Sequence, residues 1–384
     1  MPADTRDGIR QPGDANRRVV FPLLTAALLL ASNAAFAGRP PLVVPGSPEV
    51  VLERLPRGYA TLMPSAAPTA PLTQVNALLA TAARTGDARL AARAEAMLGR
   101  FPTADRAAPA VVKARAFAAQ HRHDFVGALK LLDGLLARQP RDGEARLSRA
   151  QIRLVQGDLT GARADCTALA LGIDADSGLL CIAALSLRTG DYAGAADLID
   201  RLLSQSSMDP ALARYVLVTR GEIASRAGDT DAERWFEQAL ALDPADVRTL
   251  AAFARHLRSR GQYRRAVVLL ATAPDTDGLR LQLALAAHAA SLPQAAALVE
   301  SQGRRYALAH AVGAQPEMRD EAEFLLSLRG DAQAALALAQ RNFRAQRDYE
   351  DVDILRRAAV AAHRMDVVAM LDRWSVSRHI QGRH

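Results

Sequence analysis

The sequence predicts an all-α fold in which about nine helix-turn-helix hairpins stack into a solenoid. A glycine followed by a polar residue, usually aspartate, precedes many recurring small residues by about five positions, as in Gly190-Asp191 and Gly330-Asp331. Apolar residues around these sites follow helical spacing, so each segment would bury one face. A period near 34 residues indicates stacked copies of one supersecondary unit. The small residues are Ala91, Ala128, Ala162, Ala195, Ala232, Ala266, Ala296, Ala335 and Ala369.

Residues 232–244, A-E-R-W-F-E-Q-A-L-A-L-D-P, show one unit most clearly. Ala232, Phe236 and Leu240 fall on one helical face, and Pro244 ends the helix because proline has no backbone N–H to donate. Glycine can end a helix in the left-handed conformation and aspartate can cap the next helix, which suits a hairpin turn. The first helices carry small residues where the two helices of a hairpin would cross, at Ala116, Ala150, Ala183, Gly221 and Ala254.

These features resemble the tetratricopeptide repeat (TPR), whose second helix carries a small residue, an aromatic residue, Ala-Leu and a closing proline. The resemblance covers 72–277 and is best defined over 109–274. We expect degenerate repeats and capping helices over 278–384, with an irregular joint near Gly303 to Pro316. The resemblance implies a right-handed superhelix whose first helices line a concave groove that binds proteins or peptides.

Some residues depart from this pattern. Arg146, Arg153 and Cys166 are poor matches in the third repeat, and His123 stands in the second repeat where the turn usually has glycine. Two imidazoles, His121 and His123, lie at that turn, but a structural metal site requires about four ligands. A solvated turn is therefore the preferred interpretation, and we expect no metal or cofactor.

The N-terminal region should not belong to the repeats. Residues 1–37 resemble a secretory signal peptide, with arginines before a short apolar run and a small-x-small cleavage site ending at Ala37; an uncleaved anchor is the lesser alternative. Eight prolines in 38–71 predict an extended arm, either a free linker or a segment that docks through Val50 and Leu52. We therefore expect a bacterial protein in the periplasm or envelope, with no membrane anchor after cleavage.

Cys166 and Cys181 are the only two cysteines. The repeat pattern places them on neighbouring helices, the second helix of the third hairpin and the first helix of the fourth. An oxidising compartment would allow a disulfide if the Cα atoms come close enough, and two small buried thiols are the alternative.

The resemblance also assigns residues to the groove. Its far end would be basic, which suits an acidic ligand, although arginine dominates the basic residues of the whole chain and any face would carry several. The groove would be lined by Lys113, Phe117, Gln120, Gln151, Leu180, Ala184, Leu187, Tyr215, Val218, Glu222, Arg226, Arg248, Arg255 and Arg258.

The sequence shows no motif of a catalytic centre, such as a phosphate-binding loop, H-E-x-x-H or G-x-S-x-G. The formal net charge of +7 raises nucleic acid as a ligand, but aromatic residues make up only 4% of the chain, which gives few stacking surfaces. We therefore expect a non-catalytic adaptor. A glycan- or small-molecule-binding solenoid and a self-associating scaffold remain alternatives.

Overall fold

The structure, a computed structural model, describes residues 71–85, 88–204, 208–378 and 380, with only the backbone described at 88 and 89. All of them belong to one compact unit. The predicted signal peptide, its cleavage site at Ala37 and nearly all of the proline-rich arm lie outside the described residues.

The described residues form eighteen α-helices and one short 3₁₀ helix, Asp105–Ala107, and include no strand. The helices pair along the chain into nine hairpins, so the predicted all-α array of TPR-like hairpins is confirmed. The helices are α1 Pro71–Thr85, α2 Ala88–Gly99, α3 Pro109–His121, α4 Phe125–Arg138, α5 Gly143–Val155, α6 Leu159–Ala170, α7 Ala175–Thr189, α8 Tyr192–Leu203, α9 Pro210–Ala227, α10 Ala232–Leu242, α11 Val247–Ser259, α12 Tyr263–Leu270, α13 Asp277–Ala289, α14 Ala295–Ala311, α15 Met318–Arg329, α16 Ala332–Ala345, α17 Tyr349–Ala361 and α18 Met365–Ser377.

The hairpin turns form as the glycine-aspartate signal predicts. Gly190 and Gly330 end α7 and α15 with φ of 83° and 68°, a left-handed conformation that costs glycine little. The aspartate that follows accepts a hydrogen bond from a backbone N–H of the next helix, from Gly194 for Asp191 and from Ala334 for Asp331.

The small residues of the second helices let the two helices of a hairpin approach, and six of them, from Ala128 to Ala335, are almost fully buried. Gly221 does the same from a first helix, since a Cβ there would lie 2.7 Å from the Phe236 ring. In hairpins 7 and 9 the predicted register is wrong by one or two positions, because Ala296 and Ala369 are exposed. Ala295 and Val367 are buried in those hairpins instead.

The C-terminal third is more regular than expected. Gly303 lies inside the 17-residue helix α14, so the irregular joint is confined to residues 312–317. Hairpins 7 to 9 stack on one another through buried apolar residues, which include Leu281, Phe324 and Val352. Two sets of contacts also join hairpins that are distant in sequence: α1 lies against α11, and the start of hairpin 9 lies against hairpins 2 to 5.

Candidate functional site

The fourteen predicted groove residues all lie on first helices, namely α3, α5, α7, α9 and α11. They are not equally accessible. Gln151 is exposed, but Leu187 and Val218 are buried, at 7% and 1% exposure, so neither contributes much contact surface. Lys113 is held in ion pairs with Asp142, at 3.4 Å, and with Glu144.

A short segment of this chain crosses the C-terminal ends of these helices. We call residues 346–350 the crossing segment, and the surface that it touches, together with the end of α11, the inner face. Successive residues of the segment contact successive hairpins. The contacts are Gln346 to His123 after α3, Arg347 to Val155 and Gln156 at the end of α5, Asp348 to Arg188 of α7, and Glu350 to Arg226 of α9.

The contact at α5 follows from the chemistry of a helix end, where the last carbonyls lack partners within the helix and carry partial negative charge. The backbone N–H of Arg347 donates to Val155 O at 2.7 Å, and Nη1 of Arg347 donates to Gln156 O at 2.6 Å. Among the described residues no carboxylate pairs with Arg347. Burial and the nearby Arg378 guanidinium lower the pKa of Arg347.

The contacts at α7 and α9 are ion pairs. Arg188 pairs with Asp348, and Arg226 Nη2 donates to Glu350 Oε1 at 3.0 Å while its guanidinium stacks over the Tyr349 ring at 4.3 Å. Burial alone would raise the pKa of Glu350, but Arg226 and other arginines outweigh it and hold that pKa well below its usual range.

The four arginines expected at the basic end of the groove all lie within 4.0 Å of acidic residues of this chain. Arg226 pairs with Glu350, and Arg248 with Glu222 at 3.0 Å. Arg258 donates to Gln282 Oε1 at 2.7 Å and lies 3.9 Å from Glu323. Arg255 is the least engaged, at 3.8 Å from Glu222 and 4.0 Å from Glu350, and its side chain is 37% exposed. The basic end of the predicted groove is thus partly neutralised by carboxylates of the same chain.

His123 fixes the other end of the crossing segment. Its Nε2 lies 3.3 Å from Glu317 Oε2 and its Nδ1 lies 2.7 Å from the side-chain amide of Gln346. The hydrogen bond to Glu317 raises the pKa of His123, although burial opposes the shift. Burial would raise the pKa of Glu317, but His123 and Arg319 outweigh it and lower that pKa to about 2.

The backbone at His123 is left-handed, with φ of 60°, where several other hairpins have glycine. This conformation costs a residue with a Cβ about 1–2 kcal/mol. A side chain at this position is therefore present at a cost, and here that side chain links hairpin 2 to hairpin 8.

Apolar residues seal the contact beside the ion pairs. The Trp374 ring lies against Gly157, where a Cβ would come within 3.2 Å, and Ile380 packs near Leu154 and Leu185. The cleft left between hairpins 3 to 5 and hairpin 9 has a volume of about 20 Å³. That is room for about one water molecule, so this cleft gives no support to a small-molecule site.

The departures in the third repeat have a local explanation. Asp165 is fully buried, and its carboxylate accepts hydrogen bonds from the guanidinium groups of Arg146, Arg149 and Arg153. These three arginines lie on successive turns of α5. The next residue, Cys166, forms a disulfide with Cys181 that joins hairpins 3 and 4, with a Cα–Cα distance of 5.3 Å.

In the part of the chain that the structure describes, His, Cys, Asp and Glu side chains form no group of three or more that could hold a metal ion. Over the same residues, no helix is both long enough and apolar enough to cross a membrane.

Sequence reasoning missed the crossing segment and Glu317. The one signal in the sequence was charge: several first helices are rich in arginine, and Asp348, Glu350 and Asp351 form an acidic cluster. Charge complementarity alone does not say which hairpins meet.

The fold is similar to solved helical-repeat proteins. A tetratricopeptide repeat protein from Parabacteroides merdae is 16% identical, with a TM-score of 0.41, over 64% of this chain and 97% of that one. The human IFIT1 dimer with PPP-AAAA is 12% identical, with a TM-score of 0.44, over 79% of this chain and 84% of that one. Yeast Tom70 is 12% identical, with a TM-score of 0.29, over 79% of this chain and 85% of that one. At these values the likeness concerns the fold alone. No protein-family model and no curated protein matches the sequence.

Proposed function

We propose that this protein is a non-catalytic scaffold that binds a protein or peptide segment on the inner face of its helical array. One observation carries the proposal: a short segment of the chain, extended at Gln346 and Asp348, lies across the ends of four successive first helices. The same helix-end carbonyls and arginines that hold this segment are suited to a polypeptide from another protein.

We further propose that the scaffold works in the bacterial periplasm or envelope. The signal-like pattern of residues 1–37 supports export. A buried disulfide also suits an oxidising compartment. N-terminal sequencing of the protein from an envelope fraction tests this: a chain that starts at residue 38 supports it, and a cytosolic chain that retains residues 1–37 contradicts it.

Binding is tested in two steps. Proteins captured from an envelope extract by the mature chain are identified and purified, and the affinity of each for the mature chain is then measured by calorimetry. Arg255→Glu reverses a half-exposed charge on the inner face. Arg264→Glu is the matched control, because Arg264 is exposed on the second helix α12 and makes no ion pair among the described residues.

We expect at least one purified protein to bind the natural chain and the Arg264→Glu variant with equal affinity, and the Arg255→Glu variant at least tenfold more weakly. Binding that is equally sensitive to both substitutions would place the partner on another face. Failure of every purified candidate to bind would contradict the scaffold proposal.

A further inference from the structure

We infer that the crossing segment is an internal occupant of the inner face, and that a partner binds by displacing it with an extended segment of the same chemistry. That chemistry is an arginine, a carboxylate directly after it, and a second carboxylate two positions further on, as in Arg347, Asp348 and Glu350. This inference rests on the proposed scaffold function and names the partner segment that the scaffold would recognise.

The first argument is the register. Each hairpin from the second to the fifth contributes one site, and these sites hold Gln346, Arg347, Asp348 and Glu350 in chain order. Gln346 has φ of −127° and ψ of 139°, and Asp348 has φ of −70° and ψ of 169°, so both are extended. Extended backbone places successive residues about 3.3 Å apart, which lets Gln346, Arg347 and Asp348 meet three successive helix ends. The fourth contact comes from Glu350 in the first turn of α17.

The second argument is that the two ion pairs of the crossing segment remain partly solvated. The ion-pair side chains of Asp348 and Arg188 are each 22% exposed, and that of Glu350 is 30% exposed. A competing carboxylate can therefore reach the same guanidinium groups from solvent without first opening an apolar core.

The third argument is that the inner face offers more than the crossing segment uses. The chain enters helix α17 at Tyr349, so it cannot continue in extended form to the end of α11. Arg255 lies there, 4.0 Å from Glu350 and without a hydrogen bond among the described residues. A partner segment that stays extended and carries a further carboxylate would engage Arg255 fully, which favours the partner over the internal segment.

A tethered occupant competes strongly, because its effective concentration is on the order of millimolar. The apparent affinity for a partner segment falls in proportion to the fraction of molecules whose inner face is open. Weakening the internal contacts should therefore strengthen binding of a peptide added in trans, and this direction distinguishes displacement from a purely structural role.

The test uses the full mature chain and a fluorescent synthetic peptide with the sequence of residues 343–353. The altered protein carries Asp348→Asn and Glu350→Gln, and the asparagine preserves the N-cap of α17. Asp353→Asn is the matched control, since Asp353 pairs with Arg357 on its own helix. A second peptide carries lysine in place of Asp348 and Glu350. Fluorescence anisotropy measures the affinities.

We expect the doubly altered protein to bind the natural peptide at least tenfold more tightly than the natural chain or the Asp353→Asn control does. The lysine peptide should not bind any of the three. Equal affinities for all three proteins, or no binding by any of them, would overturn the inference.

Hydrogen exchange at the Arg347 amide gives an independent result on the natural chain, even if the doubly altered protein fails to fold. That amide donates to Val155 O, so it should be protected when the chain is free and should lose protection at saturating peptide or partner. A purified partner that binds while the Arg347 amide stays protected would reject displacement and leave the scaffold proposal standing. Absence of any partner would reject the scaffold proposal instead.

Discussion

Replacing His123 with glycine should make the stability of the protein less dependent on pH. The substitution has two opposite effects. It relieves a left-handed backbone conformation, and it removes the imidazole that contacts Glu317 and Gln346. The first effect is independent of pH, whereas the second depends on the charge of the ring.

The two effects are similar in size. A non-glycine residue in the left-handed region costs about 1–2 kcal/mol, and the greater freedom of glycine in the unfolded chain offsets about 0.5–1 kcal/mol of that gain. A hydrogen bond to a charged group contributes about 1.5–3 kcal/mol, but an exposed ion pair contributes about 0–1 kcal/mol. The side chains of His123 and Glu317 are 34% and 30% exposed. We therefore take about 1–2 kcal/mol as the stabilisation that the charged imidazole contributes.

The sign follows from the raised pKa. Because the folded-state pKa of His123 lies above the usual histidine pKa of 6.5, the stabilisation from the charged ring is fully present below pH 6.5. It is lost as the pH rises through the folded-state pKa. The glycine variant should therefore be less stable than the natural chain at pH 5.5 by about 0.5 kcal/mol, and more stable at pH 9 by about 0.5–1 kcal/mol.

Urea unfolding followed by circular dichroism, at steps of half a pH unit, measures both proteins. His363→Gly is the control: His363 is also left-handed, with φ of 57°, but its ring is exposed and makes no ion pair among the described residues. That substitution should stabilise the protein by a similar amount at every pH. Parallel pH profiles for the natural chain and His123→Gly would refute the role given to the imidazole.

Two further predictions concern packing and the disulfide. A Cβ at Gly221 would lie 2.7 Å from the Phe236 ring, so Gly221→Ala should destabilise the protein by about 0–2 kcal/mol, whereas Gly134→Ala, in open space, should stabilise it by about 0.5–1 kcal/mol. Equal urea midpoints for the two variants would contradict this packing. The disulfide closes a separation of 15 residues, for which chain entropy gives about 3 kcal/mol. A reductant should therefore lower the urea midpoint of the natural chain. It should leave the midpoint of the control variant, with Cys166→Ala and Cys181→Ala, unchanged. A natural chain that is fully reduced without loss of stability would contradict this prediction.

The hairpins could be predicted from the sequence because their signals are local. The glycine of a turn, the capping aspartate after it and the small residue five positions later all act within about ten residues, as Gly190, Asp191 and Ala195 show. The register failed at Ala296 and Ala369, where alanine-rich helices offer neighbouring positions of the same size.

The contact between hairpin 9 and the inner face could not be predicted in this way. Gln346 meets His123 across 223 positions, and Glu350 meets Arg226 across 124. Which hairpins meet depends on the small rotation between each pair of neighbours, summed over several hairpins. The sequence of one repeat does not determine this summed rotation. The sequence therefore indicated which helices carry the arginines, but not which residues pair with them.

The fit of Trp374 against Gly157 has a consequence for how such a chain can change its length. Tandem arrays usually gain or lose whole modules by duplication or deletion, since each module needs only its two neighbours. Here hairpin 9 lies opposite hairpin 3, and Trp374 packs against Gly157, where there is no side chain. One module more or fewer between them would bring Trp374 to a different turn. The number of repeats is thus fixed by a contact between non-neighbours, in the way that a ring fixes the number of its subunits.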